Sequence, residues 1–228
     1  MIRVTAFVLL AATLAPGLAM GKIKRRGPLP SQLPAPTVPR LLSRAPGKEV
    51  KIGTWVEYGV REKKRTRNFT MKIAFVGREQ GGLLTWIEVT LNHNSQIIYM
   101  KMLFEGKPGK NLGDAKKIIM KLGSLHAMEI PMSKAENLLP ILFRKPLVKP
   151  RNVGTEDFRT RTGLFTRAQK VRGVDAGGNI VEVLHHPNVH LWGLLRFSNA
   201  EVTMELIGQG LGARTRITEK PAPFSVPQ

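Results

Sequence analysis

The run Phe69-Thr70-Met71-Lys72-Ile73-Ala74-Phe75-Val76 decides how this chain is to be read, because its bulkiest apolar residues fall on every second position. Side chains alternate between the two faces of a strand, so Phe69, Met71, Ile73 and Phe75 form one greasy face. Downstream, Leu83, Ile87, Val89 and Leu91 repeat the pattern, and Ile98, Met100, Met102 and Phe104 repeat it again. Upstream, Val56, Tyr58 and Val60 share one side of Thr54–Val60, with Trp55 and Glu57 on the other. Gly81-Gly82, Asn92–Ser95 and Gly106-Lys107-Pro108-Gly109 supply turns between or after these runs. Gly53–Glu105 is therefore predicted to form four consecutive strands. The opposite face is amphipathic, with Leu84, Trp86, Tyr99 and Leu103 beside Lys72, Glu88 and Lys101.

Beyond Gly109 the spacing changes. Leu112, Ala115, Ile118, Ile119 and Leu122 recur at helical intervals between Asn111, a residue type suited to an N-cap, and Gly123, a natural stop. Lys116, Lys117 and Lys121 would lie on the outer side of that helix. A capping box, Ser133-Lys134-Ala135-Glu136, predicts a second helix through Leu142, kinked or shortened at Pro140. Two amphipathic helices are the natural cover for a one-sided sheet. Strands return at Leu164–Val174 and Ile180–His186, around Asp175-Ala176-Gly177-Gly178, and again near Val202, Met204 and Leu206. Ala213–Thr218, with Arg214 and Arg216 outward, reads as a final strand. The expected class is α+β, mainly antiparallel β.

At the N-terminus, Arg3, the apolar run Val4–Leu14 and Gly17-Leu18-Ala19 have the order of a secretory signal peptide over residues 1–19. Residues 20–48 hold seven cations, no acid and six prolines, which describes an extended basic linker. A single domain is expected over 49–221, followed by a loose tail over 222–228. Cysteine is absent, so disulfides, thiolate metal sites and thiol catalysis are excluded. The formal charge of +20 favours an acidic partner or reflects a basic surface suited to its compartment. The Arg61–Arg67 hairpin tip adds to it, but no aromatic residue interleaves with its cations, which weakens any nucleic-acid reading.

Catalytic patterns are missing. No serine sits in a nucleophile elbow, and Glu156-Asp157 are sequence neighbours rather than opposed carboxylates. His185-His186-Pro187-Asn188-Val189-His190 lacks a carboxylate ligand, and Pro187 argues against the helix that would align His186 with His190. Gly208-Gln209-Gly210-Leu211-Gly212 is followed by an extended segment, so it reads as a turn rather than a phosphate loop. No metal, cofactor or enzymatic activity is expected.

Three short segments carry a resemblance: Thr85-Trp86-Ile87-Glu88; Lys117-Ile118-Ile119-Met120-Lys121 with Met128-Glu129-Ile130-Pro131; and Leu191-Trp192-Gly193-Leu194-Leu195 ahead of Thr203-Met204-Glu205-Leu206. In this order, behind a leader, the chain resembles uncharacterised exported bacterial proteins related to the LolA-like outer-membrane lipoprotein carriers. The resemblance implies a strongly curved open sheet, a half-barrel, with helices against its concave face and a cavity for acyl chains. The functional expectation is a periplasmic or secreted, non-enzymatic carrier of a lipid or acylated ligand. Its ligand-binding residues are expected to be Phe75, Ile87, Met100, Met102 and Phe104 from the sheet, with Ile118, Ile119 and Leu122 from a helical lid. The alternative is an envelope adaptor that grips an anionic polymer or membrane surface through the basic linker and the Arg61–Arg67 tip.

Overall fold

The computed structural model describes residues 50–63, 68–106, 115–132, 148–174 and 178–224. The leader, the linker, the second helix and the tip residues 64–67 fall outside them. Twelve strands make one open sheet: β1 Trp55–Glu62, β2 Asn68–Glu79, β3 Leu84–His93, β4 Gln96–Glu105, β5 Ala115–Leu122, β6 Met128–Ile130, β7 Val148–Thr160, β8 Gly163–Val174, β9 Ile180–His185, β10 Leu194–Ser198, β11 Val202–Gly210 and β12 Ala222–Pro223. Their order is β12-β6-β5-β4-β3-β2-β1-β11-β10-β9-β8-β7. All neighbours are antiparallel except β12 and β6, whose pairing makes the sheet mixed.

The four strands expected over Gly53–Glu105 are present and adjacent. The α+β class with helices over a concave face is overturned. Among the described residues the helical ones are a 3-10 turn at Gln80–Gly82 and the single residue Met132, and no helix is described over either face.

The decisive misreading lies in Leu112–Leu122. Its described part is β5, paired along β4 from Ile98↔Leu122 to Phe104↔Ala115. Ile118 is buried on the inner face, and Ile119 is buried in a separate cluster with Ala127 and Ile217 on the outer face. A strand covered on both sides loses strict alternation, and its apolar positions then coincide with helical spacing. The lysines assigned to a helix surface are cross-strand partners instead. Lys116 pairs with Glu105 at 3.0 Å and Lys117 with Glu129 at 2.7 Å.

Ala213–Thr218 is likewise not a strand. It is a strap across the outer face of β3–β5, held mainly by one side chain. Glu88, only 3% exposed, accepts from the Thr215 hydroxyl at 2.6 Å and from the Arg216 amide at 3.0 Å. The Lys101 ammonium donates to the Ile217 carbonyl at 3.4 Å and lies 4.9 Å from the centre of the Trp86 ring. Arg214 and Arg216 are exposed, as the sequence suggests, but their alternation belongs to an extended segment bonded to a carboxylate rather than to a neighbouring strand.

Farther along, Lys121 reaches Glu219 at 2.7 Å, and this hydrogen bond is the main reason the Glu219 carboxyl is pulled down to about 2. A lowered folded-state value means the contact stabilises the fold above the ordinary carboxylate range and loses that effect as pH falls toward 2. In urea unfolding, wild type is therefore expected to exceed Glu219→Gln in stability at pH 6, and the two are expected to converge near pH 2. A gap that persists at pH 2 would mean the strap is held by something other than this charge.

Candidate functional site

Residues facing one another across the sheet build its inner face in ranks. Phe75 lies opposite Ile87, Ile87 opposite Met102, Met102 opposite Ile118, and Ile118 opposite Ile130. The next rank runs Val56, Ile73, Val89, Met100, Met120 and Met128. Period-2 alternation in each strand turns whole rows of apolar side chains the same way, which is why the ranks form. Phe104 sits beyond the first rank, between Thr85 and Ala115.

Six of the eight expected ligand residues thus share one surface: Phe75, Ile87, Met100, Met102, Phe104 and Ile118 belong to the same cluster. Leu122 ends the rank of Tyr58, Met71, Leu91 and Ile98 and is half-buried. Ile119 points the other way, against Ile217. The helical lid is therefore corrected: Ile118, Ile119 and Leu122 are strand residues, and only Ile118 joins the main cluster.

That face is not open. Phe75 is fully buried, and Met102 and Ile118 are nearly so. Part of the cover comes from the loop between β9 and β10, whose Val189, Leu191 and Trp192 are buried in the same cluster. The loop is pinched shut by the His186 amide donating to the Gly193 carbonyl at 2.8 Å. Leu191 takes a φ of 60°, a left-handed conformation that is unfavourable for a side chain bearing Cβ. Gly193, at φ 72°, has no room for more: a Cβ there would come within 3.1 Å of the His186 carbonyl oxygen.

Trp192 is 2% exposed, and among the described residues its indole N–H finds no acceptor. An unmade hydrogen bond on a buried donor costs about 1–3 kcal/mol. Tyr58, fully buried nearby in the cluster, donates its hydroxyl to the Leu194 carbonyl at 3.2 Å, and burial pushes its phenol pKa upward. No local pattern marks this loop as a cover, because its histidines are the only residues there whose type suggests chemistry. Those rings are structural here: His186 packs edge-on against Phe165 at 5.3 Å and His190 contacts the Gly210 carbonyl at 3.3 Å. No group of three or more His, Cys, Asp or Glu that could hold a metal is found among the described residues.

The outer face has a different chemistry. The β7–β8 hairpin outreaches β9, since β8 pairs with β9 only from Gln169 to Val174. Its distal half crosses toward β10, where Arg196 lies 3.6 Å from Glu156 and 5.2 Å from the Phe158 ring. At its base, Lys170 bridges Glu156 at 3.1 Å and Glu182 at 3.3 Å, while Arg172 meets Glu182 at 3.2 Å. Hydrogen bonds from Glu156 and then Glu182 raise the Lys170 pKa. Burial works against ionising Glu182, yet its bonds to Arg172 and Lys170 leave its pKa lowered. These charges fix the hairpin and leave its tip, Arg161, beside β11, β1 and β2.

Among known proteins, no family model matches this chain and no curated protein matches it significantly. The likeness to LolA-like carriers accordingly rests on its three short motifs.

Proposed function

We propose that the protein, once exported, is a non-enzymatic carrier that takes the hydrocarbon part of a lipid or acylated molecule against the inner face of its sheet. The observation that carries this reading is the oily inner surface closed by a strained loop with an unsatisfied tryptophan donor. An ordinary core residue gains nothing from a left-handed leucine beside an indole N–H without an acceptor. A plug meant to be displaced tolerates both.

As it stands, the face is filled, so an acyl chain enters only if Val189, Leu191 and Trp192 withdraw. Each methylene then buried contributes about 0.8 kcal/mol, so a long chain offsets the loss of three loop side chains. The methionines Met71, Met100, Met102 and Met204 suit such a site because their unbranched thioethers re-pack around irregular shapes.

Two measurements test the reading. Organic extraction of the purified mature chain followed by mass spectrometry is expected to release an acylated molecule. A fatty-acid probe is expected to bind more tightly to Trp192→Ala, in which the plug is weakened, than to wild type. If nothing copurifies and neither protein takes up the probe, the inner face is only a core and the carrier reading fails.

A further inference from the structure

A groove of about 490 Å³ lies on the outer side of the sheet, where the end of the β1–β2 hairpin meets the tip of the β7–β8 hairpin. Arg61, Asn68, Asn92, Arg161, Thr203 and Glu205 all line it. Arg61 and Arg161 stand 100 positions apart in the chain, so only the crossing of the β7–β8 hairpin brings them to one site. Both are exposed, and neither has a carboxylate partner among the described residues. Nearer the base of that hairpin, Lys170 and Arg172 are instead taken up by ion pairs. Two guanidiniums left unpaired around one depression form an anion site, because each presents a planar fork of donors that matches phosphate oxygens.

The groove is not uniformly cationic. Glu205, exposed on β11, contributes a carboxylate, and Asn68, Asn92 and Thr203 contribute neutral polar groups. A bare inorganic anion would be repelled by Glu205 and would leave the amides unused. A ligand with a phosphate at one end and a hydroxyl or amine at the other satisfies all of them. Gly59 forms part of the floor, where the missing side chain leaves the space open.

We propose that this groove binds a phosphate ester carrying a hydroxyl or amine donor, the chemistry of a glycerophosphate or phosphoethanolamine headgroup. The arginines take the phosphate, and Glu205 takes the donor end. Such a group comes either from a membrane phospholipid or from the free soluble ester. The groove is lined by none of the residues expected to meet an acyl chain, so the proposal does not depend on the carrier reading.

The test uses the mature full chain with glycerophosphate, inorganic phosphate and vesicles of phosphatidylglycerol in phosphatidylcholine. Calorimetry is expected to show glycerophosphate binding more tightly than inorganic phosphate. The Arg61→Gln/Arg161→Gln double variant is expected to lose about tenfold or more, the scale of charge-assisted hydrogen bonds. Glu205→Gln should weaken glycerophosphate while leaving inorganic phosphate unchanged or stronger. Arg159→Gln, exposed on the same hairpin, should change neither.

Vesicle flotation that falls with the double variant identifies the membrane as the source. Binding of the soluble ester without flotation identifies the free metabolite. The proposal is overturned if the two phosphates bind alike and ignore Glu205→Gln, or if Arg159→Gln matters as much as the double variant. Failure here leaves copurification of an acylated molecule untouched, so the two ideas are separable.

Discussion

Replacing Phe75 with alanine is expected to lower the unfolding free energy by about 3–5 kcal/mol, the range for deleting a fully buried aromatic ring. Phe75 is completely inaccessible and stands at the head of the rank Phe75, Ile87, Met102, Ile118 and Ile130. Both of its backbone groups are tied to the segment that leads into β1. The Gly53 amide donates to its carbonyl at 2.7 Å, and its own amide donates to the Thr54 carbonyl at 2.9 Å. The strand also shifts register between Phe75 and Gly77, so the neighbourhood cannot slide to refill the space. Urea titration of the two proteins measures the difference. A loss below about 1 kcal/mol would show that the inner face re-packs freely, and the ranks would then not be the organising core.

The second large effect is expected at Glu88. Changing it to alanine removes the acceptor for the Thr215 hydroxyl and the Arg216 amide together. Hydrogen bonds to a charged group contribute about 1.5–3 kcal/mol, so a loss of about 3 kcal/mol is expected from releasing the strap. The strap should then become the first site of cleavage, between Leu211 and Lys220, in limited proteolysis. Glu88→Asp shortens the side chain but keeps the charge, so it should fall between the two. If the strap stays resistant in Glu88→Ala, then Ile217 packed against Ile119 and Ala127 is what holds it.

These two positions also mark how far the chain can be read without its fold. Phe75 was legible, because the alternation Phe69, Met71, Ile73 and Phe75 has one physical meaning in an extended chain and its neighbours repeat it. Five sheet residues expected at a ligand face, Phe75, Ile87, Met100, Met102 and Phe104, do lie together in the buried cluster. Glu88 was not legible as an anchor. It sits in β3 as an ordinary outward polar residue, and its partners are more than 120 residues away.

The failure at β5 has the same origin. Ala115, Ile118, Ile119 and Leu122 fit a helix only because the strand is buried on both faces. One face packs on the ranks and the other lies under Ile217, which belongs to a strap that no local pattern announces. Trp192 stands in the short motif Leu191-Trp192-Gly193-Leu194-Leu195 with no local sign of what it covers. Its role as a buried donor without an acceptor among the described residues depends on which segment the β9–β10 loop happens to cover.

Local side-chain order by itself determined where strands β1 to β4 run, which of their faces is apolar, that the chain carries a large positive charge, and that thiol chemistry is absent. Tertiary structure alone decided that β5 is a strand, that the tail segment is a strap, and that Arg61 and Arg161 share a groove. The physical reason is range. Alternation is set by sterics between neighbouring residues, whereas burial on a second face, or the meeting of two distant cations, depends on what the rest of the chain lays on top.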